Sequence, residues 1–290
     1  MEFITTLLNG LSLGGIYAMI ALGYTMVYGI AKMLNFAHGD IIMVGGYTIL
    51  VFISATGNPL LAVALAVVFC VALGVVVERL AYKPLRGASP LAVLITAIGV
   101  SYLLQSLAQI IFGSAPKMVQ LPDLGVITVA GLRIQVFTLL TLALSVVVMI
   151  SLTCFVKYTK IGKAMLAVSE DRGAAQLMGI NVNAIITLTF VIGSALAALA
   201  GLCILMKAPI ISSVFGAMPG IKAFTAAVIG GIGSIPGAML GGILLGVVEC
   251  LCNKIPPIAP YTDAIEFGIL IVILLIRPTG FLGKKRREKV

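Results

Sequence analysis

Two stretches of this chain, residues 135–156 and 184–206, contain no acidic or basic side chain. A hydrocarbon core about 30 Å thick takes roughly 20 such residues per helical crossing. Six further apolar segments accompany them, so the runs are not isolated anomalies. Together the eight occupy about 3–31, 41–56, 59–82, 90–112, 135–156, 184–206, 223–253 and 258–276. Charged residues are 10% of the chain, against about 25% in an ordinary soluble domain. The expected fold class is an all-α polytopic membrane protein with about eight hydrophobic segments and seven to nine crossings. Residues 1–290 then form one transmembrane domain with no room for a soluble catalytic domain. The opening Met1-Glu2-Phe3 has no basic n-region, so it reads as the first membrane segment rather than a removed signal.

The formal charge of +9 belongs to loops, where it speaks of orientation in a lipid bilayer rather than of nucleic acid. Arg79, Lys83 and Arg86 share one short loop. Lys157, Lys160, Lys163 and Arg172 share another. Arg277, Lys284 to Arg287 and Lys289 form the tail. The positive-inside rule places all three in the cytoplasm. Loop 113–134, with only Lys117 and Arg133 as basic residues, belongs outside. With a cytoplasmic C-terminus, parity demands an odd number of crossings after residue 207.

Segment 223–253 is interrupted by Gly230-Gly231-Ile232-Gly233-Ser234-Ile235-Pro236. It reads either as two short crossings or as a broken hairpin that dips in and returns. Irregular backbone at membrane depth is tolerated only where protein or a water cavity shelters it, and transporters place such breaks beside the substrate path. An ordinary kinked helix is the plainer reading. Glycines at small-xxx-small spacing (Gly10 and Gly14; Gly237 and Gly241; Gly242 and Gly246) permit close helix contact, within the bundle or at a subunit interface.

Ionisable groups in such a chain are functional candidates. His38 and Asp40 lie in Asn35-Phe36-Ala37-His38-Gly39-Asp40, a short polar break expected near the inner face. Glu78-Arg79, Glu249, Asp263 and Glu266 complete the set. A proton relay, a structural histidine and a gate are the readings of His38, with the structural one preferred. The five cysteines form no CxxC, and packing explains them better than metal or a disulfide. The glycine run at 230–242 lacks the Lys-Ser/Thr of a P-loop. No nucleophile set and no metal-ligand spacing is present, so neither a cofactor nor ATP hydrolysis by this chain is expected.

Loop 157–183 is the sharpest feature. Residues 163–178 are helix formers apart from Gly173, and Gly179 is placed as a C-terminal cap. Its apolar residues are not expected to form a spanning stripe. Met165, Leu166 and Leu177 are expected to be exposed and to need cover from a partner.

Ala174-Ala175, three residues, then Gly179 resembles the coupling loop of ABC importer permeases, although Gly173 stands where the general motif has Glu and no Leu-Pro follows. The rest resembles the LIV-type branched-chain amino acid permeases, in particular the first of their two permease subunits. The matching pieces are Gly23-Tyr24-Thr25-Met26-Val27-Tyr28-Gly29, Asn35 to Asp40, Gly45-Gly46-Tyr47, Ile161 to Ile180, Gly230 to Gly242 and Arg277-Pro278-Thr279-Gly280-Phe281-Leu282-Gly283. The resemblance implies an inner-membrane subunit of an ATP-driven importer for leucine, isoleucine and valine. Its implied partners are a second permease, two cytoplasmic ATPases that hold ATP and Mg, and a periplasmic binding protein. ATPase coupling then falls to Ile161, Gly162, Met165, Glu170, Asp171, Ala174, Ala175, Gly179 and Ile180. The substrate path falls to Asn35, Phe36, His38, Gly39, Asp40, Gly230, Gly231 and Gly233. Rival readings are an ABC permease for urea, amides or sugars, an ion-coupled carrier and a membrane enzyme.

Overall fold

Helix starts in this chain are set by short polar residues followed by proline. Asn58 accepts hydrogen bonds from Leu60 N (3.1 Å) and Leu61 N (3.3 Å) ahead of Pro59. Ser89 does the same for Ala92 N before Pro90, and Ser234 for Gly237 N beside Pro236. Each cap satisfies an orphan N–H, and proline at the first turn sacrifices no bond. The computed structural model describes residues 2–122, 124–129 and 132–283. Met1 and the basic residues Lys284 to Arg287 and Lys289 lie outside them.

The helices are α1 (Glu2–Ala31), α2 (His38–Thr56), α3 (Pro59–Val77), α4 (Pro90–Phe112), α5 (Val136–Tyr158), α6 (Lys160–Glu170), α7 (Arg172–Leu177), α8 (Val182–Lys207), α9 (Ala217–Gly230), α10 (Ile235–Lys254) and α11 (Thr262–Ile276). Among the described residues, eight helical stretches are long and apolar enough to cross a membrane. The chain is an integral membrane protein. Two small antiparallel pairings, β1 (Lys117–Met118) with β4 (Ile210–Ile211) and β2 (Val126–Val129) with β3 (Leu132–Gln135), shape the loop after α4.

The broken segment resolves into α9 and α10. With 14 residues, α9 is about 21 Å long and cannot span the core alone. It folds back antiparallel on α10, because Gly241 faces the Ala226 carbonyl and Gly237 faces Gly230. Gly231 (φ 106°) and Gly233 (φ 92°) make the turn.

Of the two places open to the spaced glycines, the structure shows packing within the bundle. Gly10 and Gly14 are used within the chain, against α10. A Cβ on Gly14 would come within 2.7 Å of Ile243 Cα, and one on Gly10 within 3.0 Å of Val247 Cα. Gly242 lies against Ala18 and Gly246 against Gly14. In lipid, where burial of apolar surface gives little drive between helices, such backbone approach is what holds them.

The described parts of the three basic segments share one end of the bundle. Arg86 bonds to Asn183 at the start of α8, and Arg172 donates to Ile30 O at the end of α1. The segment after Arg277 returns to the α9–α10 turn through Phe281 N to Ile229 O and Leu282 N to Gly230 O, both 2.9 Å. The helix α1 ends there, with Lys32 at φ 54°.

Helix α2 does not begin at that end. The His38 ring lies against Gly23, eight residues and about 12 Å up α1 from Ala31. Residues 32–37 therefore turn back into the protein, and α2 opens at His38 rather than at residue 41 near the inner face. Smallness permits this depth: Gly39 lies against Gly216, just before α9. Two helix N-termini thus meet inside the bundle.

Candidate functional site

Between α5 and α8 the chain makes a capped elbow. Thr159 Oγ1 accepts from Gly162 N (2.9 Å) and starts α6. Asp171 ends α6 and starts α7, accepting from Ala174 N at 3.0 Å. Gly179, at φ 81°, ends α7, and Ile180 N bonds back to Ala175 O (3.0 Å). That is the six-to-one bond of a Schellman cap, as the position of Gly179 in the sequence predicts. Asn181 then caps α8 through Ala184 N.

The elbow is fastened to the bundle by one face. Gly162, Met165 and Val168, at helical spacing, are buried, and so is Ala175. This corrects two expectations. The apolar residues of α6 do form a stripe, directed at the core, and Met165 is covered by the chain itself. A Cβ on Gly162 would collide with the backbone of Phe155 and Val156 at the end of α5. Arg172 reaches the Ile30 and Ala31 carbonyls, closing the orphan acceptors at the end of α1. Burial, reinforced by nearby Arg86, lowers its pKa from the ordinary arginine value. The opposite face is bare: Ile161, Leu166, Glu170, Asp171 and Ala174 are exposed, Leu177 is 91% exposed and Met178 82%.

The second region is the polar break at the start of α2. Asn35 Oδ1 accepts from Tyr82 OH at 2.8 Å, within the core. Phe36 packs on Phe224 of α9, and His38 meets Tyr24 edge-on at 4.8 Å. Asp40, 3% exposed, accepts from Gln105 Nε2 of α4 at 2.9 Å. A cavity of 340 Å³ adjoins it, bounded by Phe36, Gly39, Asp40, Ser101, Gln105 and Ala217 together with Leu94, Ile98 and Ile221.

Gly230, Gly231 and Gly233 are not part of this region. They sit at the far end of α9, about 21 Å away along its axis, and the 279–283 segment covers their turn. The segment that faces Asn35 to Asp40 is the start of α9 with Gly216. Sequence reasoning missed it, because Gly216 and Gly220 gave a weaker signal than the glycine run at 230–242.

A third group was half seen. Lys222 of α9 pairs with Glu249 (3.1 Å), Asp263 (2.8 Å) and Glu266 (3.2 Å), and Tyr17 donates to Glu249 at 2.6 Å. The acids stand out in the sequence; their lysine, alone among apolar neighbours in α9, was overlooked. On the basic end, Glu78 is buried between Arg86 and Thr187 Oγ1. Among the described residues no cluster of His, Cys, Asp and Glu is arranged for a metal ion.

Comparison with known proteins agrees with this architecture. Residues 6–274 match the family described as branched-chain amino acid transport system, permease component. The chain is 44% identical to the high-affinity branched-chain amino acid transport system permease protein BraD of Pseudomonas aeruginosa, over 100% of this chain and 98% of the relative. It is 42% identical to LivH of Escherichia coli, of the same description, with the same coverage. Among solved structures, PsaBC of Streptococcus pneumoniae, determined in complex with a Fab, matches with a TM-score of 0.52 at 14% identity. The match covers 96% of this chain and 93% of that one, a likeness of fold.

Proposed function

This chain belongs to the family of permease components of branched-chain amino acid transport systems, and from that premise we propose that it carries leucine, isoleucine and valine across the inner membrane as one subunit of an ATP-driven importer. Its partners in this reading are a second permease, two cytoplasmic ATPases and a periplasmic binding protein. The chain supplies no catalytic group; the ATPases hold the ATP and Mg. The basic end faces the cytoplasm, as the positive-inside rule favours, and loop 113–134 faces the binding protein.

The observation that carries coupling is the elbow. It is rigidly capped, anchored to α1, α5 and α8 by its buried side, and bare on the other, with Leu177 and Met178 almost fully exposed. Exposed apolar side chains of this size mark a docking surface. A partner gripping them moves α5 and α8 directly. Ile161, Glu170, Asp171, Ala174 and Gly179 lie on the exposed side; Gly162, Met165 and Ala175 hold the elbow in place, so substituting Ala175 would test packing rather than docking.

The test is Leu177→Glu with Met178→Glu, in the transporter reconstituted with its ATPases and binding protein. Leucine uptake and binding-protein-stimulated ATP hydrolysis should both fall about tenfold or more, as loss of a hot-spot contact of ~2 kcal/mol requires, with unchanged membrane levels. Undiminished uptake, or uphill leucine uptake by the chain alone on an ion gradient, would overturn the reading.

A further inference from the structure

Asp40 is buried, yet among the described residues no basic side chain lies within ion-pairing distance of it. Its side-chain partners are neutral, the Gln105 amide and the Ser101 hydroxyl. The other buried carboxylates all have cations: Glu78 has Arg86, and Glu266 has Lys222. A carboxylate in a membrane protein normally pairs or serves a pathway. Among the described residues, Asp40 is also the only charged group bounding the 340 Å³ cavity. The larger cavity, 480 Å³ beside the ends of α8 and α10, is bounded by Lys207 and Lys254 and contains no carboxylate.

We propose that the Asp40 cavity is the station where this permease holds its substrate, the Asp40 carboxylate receiving the α-ammonium group while the branched side chain lies against Leu94, Ile98, Phe36 and Ile221. The proposal rests on the reading of the chain as an amino-acid permease and deepens it. The arrangement suits a zwitterion. Its cationic pole meets the one uncompensated acid. Gln105 and Ser101 hold that acid in place. The opposite pole meets the N-terminal end of α9 at Ala217, which carries positive dipole charge. The apolar wall discriminates side chains only weakly, by about 1–3 kcal/mol per methylene; it accepts leucine, isoleucine and valine alike and leaves finer selection to the delivery step. Because α4 supplies Leu94, Ile98, Ser101 and Gln105, movement of α4 away from α2 opens the station.

Asp40→Asn is the isosteric test, since the amide oxygen still accepts from Gln105. In the reconstituted transporter, leucine uptake should fall about tenfold or more, the scale of losing a charged hydrogen bond. Binding-protein-stimulated ATP hydrolysis and assembly should persist. A second measurement needs neither ATP nor uptake. Ser101→Cys, compared with the parent's own cysteines, should react about tenfold faster with a cationic aminoethyl methanethiosulfonate than with the anionic sulfonatoethyl reagent, as one unscreened charge favours. The preference should vanish in the double variant with Asp40→Asn. Parental uptake by Asp40→Asn, or equal reaction of Ser101→Cys with both reagents, would overturn the station. So would reaction with a hydrophobic maleimide alone, which would mean lipid fills the groove. None of these outcomes touches the coupling role of Leu177 and Met178.

Discussion

Gly162 and Gly179 are both required by the elbow, for different reasons. Around Gly179 there is open space, and only its φ of 81° resists a side chain. Gly179→Ala should therefore cost about 1–2 kcal/mol, the left-handed penalty of an L-residue. At Gly162 the conformation is ordinary helix, but a methyl group would strike the Phe155 and Val156 backbone. Gly162→Leu should cost more, ~3 kcal/mol or above through overpacking, and should split α6 from α5. Thermal unfolding of the purified protein separates the two: a modest drop for Gly179→Ala and a large one for Gly162→Leu. Gly179 was readable in the sequence, because a helix cap is a local signal. The role of Gly162 depends on how one helix lies across another, which no short window reveals. Met165 misled for the same reason: a methionine among charges looks exposed until the covering helices are known.

At the scale of elements, the apolar runs place helix boundaries well, and α4 falls at residues 90–112, the span of its apolar segment. The failures are at the breaks. Residues 32–37 re-enter the bundle, and the start of α2 sits deep because Gly23, Gly39 and Gly216 allow it. Glycine content announces close approach but not the partner. The glycine run at 230–242 was the louder signal, and its Gly230 to Gly233 part is the covered turn into α10. Arg172 shows how the elbow is joined to the rest. One guanidinium nitrogen, Nη2, donates to both carbonyls at the end of α1, from a planar group whose reach an ammonium does not match. Arg172→Lys should leave membrane insertion intact and lower leucine uptake several-fold, by about 1 kcal/mol for one lost net hydrogen bond. Uptake measured beside quantified membrane protein decides it.

For the whole molecule, eight helices long and apolar enough to cross a membrane were legible from hydropathy alone. After residue 207 these are α10 and α11, preceded by the shorter α9. The proposed station could not be read from the sequence because its cavity is lined from α1 (Tyr24), α2, α4 and α9. The sidedness has a direct check. Cysteines placed at Lys117 and Lys163 should react oppositely with an impermeant maleimide added to intact cells: Lys117→Cys labelled, Lys163→Cys protected until the membrane is opened. The reverse pattern would invert the orientation.

Lys222 has a consequence in time as well as in space. Its acidic partners, Glu249, Asp263 and Glu266, all come later in the chain. Synthesis runs from the amino end, so α9 emerges carrying an unmatched positive charge, on a helix too short to bridge the bilayer. It has no stable berth until α10 and α11 arrive to neutralise it. The start of α9, which completes the walls around Asp40, is therefore among the last pieces to settle.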